Sequence, residues 1–357
     1  MNSLAKASLG SHPPNSRRRN FWEPIFSQNA LESFPSFDWK TNNITGIYRQ
    51  TCDANQLKEL RESTHLPVLR NFKFSECDFL GIFDLGPFAF KDCTFNLCDL
   101  GRSTWRNIKF QNCKFLSCTF TQSTLDSCQF TKCIWEKIGF SGTETHIRNC
   151  LFTNPAEFVY AGYTNLDPQI LSRQQGDLSK ATHQVMRLEQ TKLKISRLIL
   201  NSQETQGNDT EYYQSIKTYL TLSVDAQIAE VRHELFEKKR PIFDRVRYLF
   251  LHLERLILSA SGVVNDWGAS LARPALIGVG LVAAFAIYYR FIGIQDSLLN
   301  AFFASFDVTT LIGYTKHANK DGHPFEQLSY MVNMFFGLWW YSVFVPTVIN
   351  RISRVRA

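Results

Sequence analysis

The chain has 357 residues, enough for two or three domains. Its formal charge of +7 is spread over too long a chain to mark a nucleic-acid binder. The first twenty residues are rich in Ser, Asn and Arg and lack a continuous apolar core, which argues against a secretory leader, and with it against a disulfide scaffold for the nine cysteines.

Residues 1–20 are therefore expected to be a disordered N-terminus. Residues 21–69 are mixed, with aromatic residues at Phe26, Phe34, Phe37, Trp39 and Tyr48 and a short helical candidate at 56–63, as a cap over the end of a repeat stack requires. The repeat follows over 70–152. Leu85, Phe90, Phe95, Leu100, Trp105, Phe110, Phe115, Phe120, Leu125, Phe130, Trp135 and Phe140 recur every five residues, and Phe74, Phe79, Ile147 and Phe152 extend the rhythm after phase slips. Neither a helix nor a flat strand has this period. Two residues before many of these positions lies a small residue: Cys77, Cys93, Cys98, Ser103, Cys113, Cys118, Ser123, Cys128, Cys133 and Cys150.

This pattern resembles the pentapeptide-repeat family. The resemblance implies a right-handed quadrilateral β-helix in which four pentapeptides make one coil and residues twenty apart stack. The resulting ladders would be Phe90/Phe110/Phe130, Phe95/Phe115/Trp135, Leu100/Phe120/Phe140 and Leu85/Trp105/Leu125. Eight of the nine cysteines occupy the inward small position, where a thiol packs as a small hydrophobe. Zinc is the sharper reading of the same residues, but gaps of five differ from common structural sites and the histidines are scattered, so no metal is expected. Some members of that family mimic DNA and act on topoisomerases. Ten Lys/Arg against eight Asp/Glu between Arg70 and Phe152 do not make an acidic mimic, so a docking or sensing platform for a cytoplasmic ligand or protein, with no nucleic acid, is expected.

Residues 153–177 read as a connector. Residues 178–240 read as a helical hairpin, with Val185, Leu188, Leu193, Ile195 and Leu198 on one arm, Tyr212, Ile216, Leu220, Val224, Ile228, Val231 and Leu235 on the other, and a break at 203–209. Residues 241–270 mix apolar positions with Arg245, Arg247 and Arg255, which suits either an amphipathic helix at a membrane interface or an ordinary core helix.

Residues 271–357 contain two apolar runs, Pro274 to Tyr289 and Leu328 to Ile349, each near the roughly 20 residues that a bilayer span needs. Between them lies Phe303-Ala304-Ser305-Phe306-Asp307-Val308-Thr309-Thr310-Leu311-Ile312-Gly313-Tyr314-Thr315. Irregular backbone at membrane depth survives only when buried in protein or lining water, so this stretch is either a conduit or a re-entrant loop that conducts nothing. Lys238, Lys239, Arg240, Arg245, Arg247, Arg255 and Arg273 precede the first run and Arg351, Arg354 and Arg356 follow the second, which puts both termini in the cytoplasm. Gly278-x-Gly280-x-x-Ala283 lies inside an apolar span without a preceding strand and reads as helix packing, not dinucleotide binding. His233-Glu234-Leu235-Phe236-Glu237 lacks the second histidine of a zinc protease, and no catalytic grouping is evident, so no enzyme is expected.

The stretch 303–315 between two spans resembles the pore domain of the potassium-channel superfamily. The whole chain then reads as a mixed multidomain protein: a β-helix, a helical linker and an all-α two-span pore domain with a re-entrant loop. The resemblance implies a homotetramer in the plasma (inner) membrane, in contact with lipid, that passes a monovalent cation, K⁺ first, with no bound cofactor. Its selectivity filter would be Thr310, Leu311, Ile312, Gly313, Tyr314 and Thr315. Leu311 stands where the family has Thr and Thr315 where it has Gly, which implies weak preference for K⁺ over Na⁺. Asp307 and Lys316 would support the filter as an ion pair, unless Lys316 turns to water and Asp307 bonds backbone amides. In the second span Gly337 and Pro346 are hinge or gate candidates. Asn333, Gly337, Phe344 and Val348 lie near one helical face, which either lines the pore or packs on the first span.

Overall fold

A computed structural model describes residues 46–52, 55–59, 68–79, 82, 85–140, 145–163, 178–206, 209–236, 241–313, 317 and 323–355. The expected disordered segment 1–20, most of the expected cap, and Tyr314, Thr315 and Lys316 lie outside the described residues. The chain divides into two units, Met1–Arg255 and Leu256–Ala357.

In the first unit the period of five becomes a parallel β-solenoid of about four turns over 68–152. Short strands alternate with tight turns, and one residue of each turn is left-handed: Asp92, Leu97, Arg102, Asn107, Asn112, Ser117, Gln122, Ser127, Lys132 and Lys137 all have φ between 52° and 58°. No β-branched residue occupies any of these ten positions, as the steric cost of that region requires. Two five-stranded sheets, one three-stranded sheet and a ladder of single bridges through Thr51, Asp78, Asp99, Thr119 and Gly139 form the sides.

The register puts like on like. Phe90 pairs with Phe110 and Phe110 with Phe130, and their rings stack at 5.1 and 4.9 Å with interplanar angles of 5° and 3°. Phe95, Phe115 and Trp135 form the neighbouring column at 4.8 and 4.4 Å. Strand spacing of about 4.8 Å dictates the face-to-face stack within a column. Between columns the rings meet edge to face, as at Phe110 and Phe115 (5.4 Å, 71°), the arrangement that the ring quadrupole favours.

Two expectations are corrected in detail. Thr104 N–H donates to Ile82 C=O, twenty-two residues back, whereas Thr124 N–H donates to Ser103 C=O, twenty-one back, so the earlier coil is one residue longer and Leu85 falls one residue out of the ladder assigned to it. Trp105 does pair with Leu125. The stack also begins earlier than 70: Gly46–Tyr48 pairs with Lys73–Ser75 and Val68–Arg70 with Ala89–Lys91, inside the segment expected to be a cap.

All nine cysteines are free and buried. Thiols of the repeat point at carbonyls: Cys113 Sγ donates toward Phe90 O and Gln111 O (both 3.4 Å), and Cys98 toward Phe74 O and Asn96 O (both 3.4 Å). Ser103, in the equivalent place, donates to Phe79 O at 3.0 Å, so a hydroxyl serves there as well as a thiol. Among the described residues no cluster of ligands suited to a metal occurs.

The described part of the expected connector, up to Tyr163, and the expected hairpin close the far end of the solenoid. Helix α1 (Pro155–Tyr160) lays Phe158 edge-on against Trp135 at 4.7 Å. Helices α2 (Leu178–Gln206) and α3 (Asp209–Phe236) form the hairpin, and Ile195, Ile199 and Leu222 join the solenoid core. Ser202 Oγ accepts from Cys150 N–H and donates to Cys150 O, and Gln203 Nε2 donates to Phe152 O at 3.3 Å. Side chains of α2 thus pair the open backbone edge of the last coil. Helix α4 (Pro241–Asn265) is tied to α3 through Arg247–Glu234 (3.4 Å) and Arg255–Asp225 (3.2 Å), while Ile242, Leu249 and Leu253 are exposed.

In the second unit a short 3₁₀ turn (Asp266–Gly268) precedes α5 (Ala272–Phe291), α6 (Leu298–Thr309) and α7 (Pro324–Val355). Two of its helical segments, Ala272–Phe291 and Pro324–Asn350, are long and apolar enough to cross a membrane. Only 28% and 17% of their most apolar windows are buried, so many of their large side chains, such as Leu276, Ile287 and Phe335, are exposed.

Two outcomes follow from the solenoid. Phe110→Ala should cost about 3–5 kcal/mol by emptying a stacked column, and Leu97→Asn should gain about 1 kcal/mol by placing a tolerant residue at positive φ; guanidinium titration followed by near-UV circular dichroism checks both. The stacked thiol of Cys133 and then burial push Cys113 up to about 12, from an ordinary 9.0, so folding favours the neutral thiol. That contribution is complete below pH 9.0 and is lost as pH rises toward about 12, so the titration midpoint should fall across this window and Cys113→Ser should flatten the fall.

Candidate functional site

Helix α6 is a short element with one small face and one large one. Ala301, Ala304, Ser305 and Val308 are buried at the i, i+3, i+4, i+7 spacing, whereas Leu298, Leu299, Phe302, Phe303 and Phe306 are exposed. The small face allows close approach of its neighbours: Ser305 Oγ donates to Val282 O of α5 at 2.8 Å, and Tyr289, Ala301, Ala304, Val308 and Tyr330 form the core of the unit. Ser297 caps the start, its hydroxyl accepting from Asn300 N–H at 3.1 Å.

The end of α6 carries the stretch expected to be the filter. Leu311 N–H donates to Val308 O (3.2 Å), Ile312 N–H to Asp307 O (3.0 Å), and Leu311 is left-handed at φ 63°. These are the two bonds of a Schellman cap, with Leu where Gly is usual. Gly313 N–H also reaches Asp307 O, at 3.1 Å. Because a trans peptide sets C=O opposite to the next N–H, the carbonyls of Leu311 and Ile312 both turn away from the end of α6. Gly313 lies against the Asp307 side chain, where an added Cβ would come within 2.9 Å of its carboxyl.

Asp307 meets His317, with Oδ2 to Nε2 at 3.3 Å and both side chains partly exposed. The partner expected for Asp307, Lys316, lies outside the described residues, as do Tyr314 and Thr315. Thr310, Leu311, Ile312 and Gly313 are brought together as one turn, with Thr310 Oγ1 donating to Phe306 O at 2.7 Å.

The expected pore face of α7 does not share one environment. Asn333 is fully buried; its Oδ1 accepts from Thr309 Oγ1 at 2.8 Å and its Nδ2 donates to Tyr289 Oη at 2.9 Å. Gly337, one turn on, abuts the backbone of Thr309, whose Cα would be 2.8 Å from an added Cβ. Phe344 is half-buried and stacked on Trp340 at 5.2 Å, Val348 is half-buried, and Pro346 is exposed within a helix that continues through it. Gly278 faces the Trp340 ring, whose Nε1–H donates to Pro274 O, in keeping with helix packing.

Sequence reasoning missed Thr309, Tyr289 and His317. Helical spacing alone put Asn333 on the expected face; its amide in an otherwise apolar run, a group that seeks a partner inside the bundle, is the signal that points further. Nothing local in the sequence names that partner.

Gly337→Ala should disrupt the unit because the methyl group would meet backbone, while Gly280→Ala, at a position open to 4 Å, should be neutral. Thermal unfolding and size-exclusion profiles of the detergent-solubilised chain check the pair, and equal behaviour would refute the packing described. No family model matches this chain, and no curated protein matches it in sequence.

Proposed function

We propose that the protein is a homotetrameric cation channel of the plasma (inner) membrane whose cytoplasmic solenoid, a right-handed pentapeptide-repeat stack, docks a ligand or protein that controls opening. The observation that carries this reading is the pair of successive carbonyls, Leu311 and Ile312, turned away from α6 by two amides that share Asp307 O. Four such loops around an axis would offer rings of carbonyl oxygens in place of an ion's water shell, with the negative end of α6 aimed at the same place. The outward apolar surfaces of α5 and α7 suit lipid and neighbouring copies. The cationic residues on both sides of the span pair support cytoplasmic termini.

Leu311 offers no hydroxyl to the innermost site, and its left-handed backbone holds the turn by a cap rather than by an extended run. Discrimination between K⁺ and Na⁺ by this loop is therefore weak. Purified protein in a planar bilayer should give single-channel steps whose reversal potential moves little when Na⁺ replaces K⁺. A strongly K⁺-selective reversal potential would refute the selectivity argument. Complete absence of steps from properly assembled tetramers would instead favour a membrane-anchored scaffold with a non-conducting loop.

A further inference from the structure

We propose that Asn333 is a positioning residue for the loop 310–313: it clamps the last residue of α6 between the two span-length helices. Both ends of its amide are engaged. Oδ1 accepts from Thr309 Oγ1 (2.8 Å), and Nδ2 donates to Tyr289 Oη (2.9 Å) and reaches Ser305 O at 3.5 Å. The opposite amide orientation would put Oδ1 against the Ser305 carbonyl, two acceptors face to face, so the network selects the orientation given.

Thr309 is held from two directions. Its hydroxyl is bound by Asn333, and its backbone is in contact with Gly337, which lies one helical turn further along α7. Asn333 and Gly337 therefore make a notch on α7 that receives Thr309, and the next four residues of the chain are Thr310 to Gly313. Asn333 and Thr309 are each fully buried and sit among Tyr289, Ala304, Ser305 and Val308, so neither has water to replace a lost partner. A movement of α7 must consequently break this network or carry the end of α6 with it. The effect on conduction rests on the channel reading above; the clamp itself rests only on the contacts.

The test uses the full chain in detergent and in bilayers, with Asn333→Leu, Thr309→Val and Thr309→Ser. Hydrogen exchange is read on peptides covering Leu311, Ile312 and Gly313, whose amides close the cap, and on peptides from the middle of α5. With Asn333→Leu and with Thr309→Val, exchange over 311–313 should rise about tenfold while α5 changes little, as loss of one buried hydrogen bond implies. Thr309→Ser keeps the hydroxyl and should return exchange to the wild-type rate. The same two disruptive variants should shorten single-channel open times. Exchange that is unchanged, or that rises uniformly over α5, α6 and α7, overturns the clamp and leaves Asn333 with a general packing role, whatever the wild type conducts. A local rise in the two disruptive variants, together with a wild type that gives no current, would leave the clamp standing and remove the channel reading.

Discussion

The hydrogen-bond ladder between successive coils is the constraint on which the N-terminal unit depends. It holds neighbouring strands near 4.8 Å, a distance at which planar rings stack face to face column after column. Where the inward corner carries a small thiol or hydroxyl, the same ladder sets a carbonyl within its reach. Phe110 over Phe90 and Cys113 under the Phe90 carbonyl are thus two results of one spacing. The left-handed turns complete the set, because a coil can close on itself in about twenty residues only if each side ends in a sharp change of direction.

The second unit solves the opposite problem. Much of the apolar surface of its two long helices is exposed rather than packed inside, so close approach and a few polar contacts hold the helices together. Small residues on α6 supply the approach, and Ser305, Thr309, Asn333 and Tyr289 supply the contacts. A chain end with backbone carbonyls presented outward is tolerable there because its amides are already bonded to Asp307 and Val308.

Legibility differed between the units for physical reasons. The columns through Phe90 and Phe95 were readable because a fixed period places every fifth residue in the core, and insertions show up as phase slips. Leu85 was misplaced because a slip can be located in sequence only to within the turn that absorbs it. The hairpin was readable as helix from Val185, Leu188 and Ile195, yet periodicity tells which face is buried and not what covers it. The roles of Ser202 and Gln203 on the last coil were therefore invisible. On α7, helical spacing placed Asn333 on one face with Gly337, Phe344 and Val348, but its choice between a conduit and Thr309 depended on contacts twenty-four residues away. Asp307 and His317 are close in sequence, but the turn between them decides whether they meet.

The seal made by Ser202 and Gln203 has a consequence for assembly in a crowded cell. A parallel solenoid with a bare last strand is a template on which any extended chain can grow, including another copy of itself, and growth of that kind has no natural end. By spending two side chains on the final backbone groups, the hairpin turns an open-ended polymerisation surface into a finite object. Loss of those two side chains would therefore be felt first as a change in solubility and fibre formation, well before any effect on the helices that carry them.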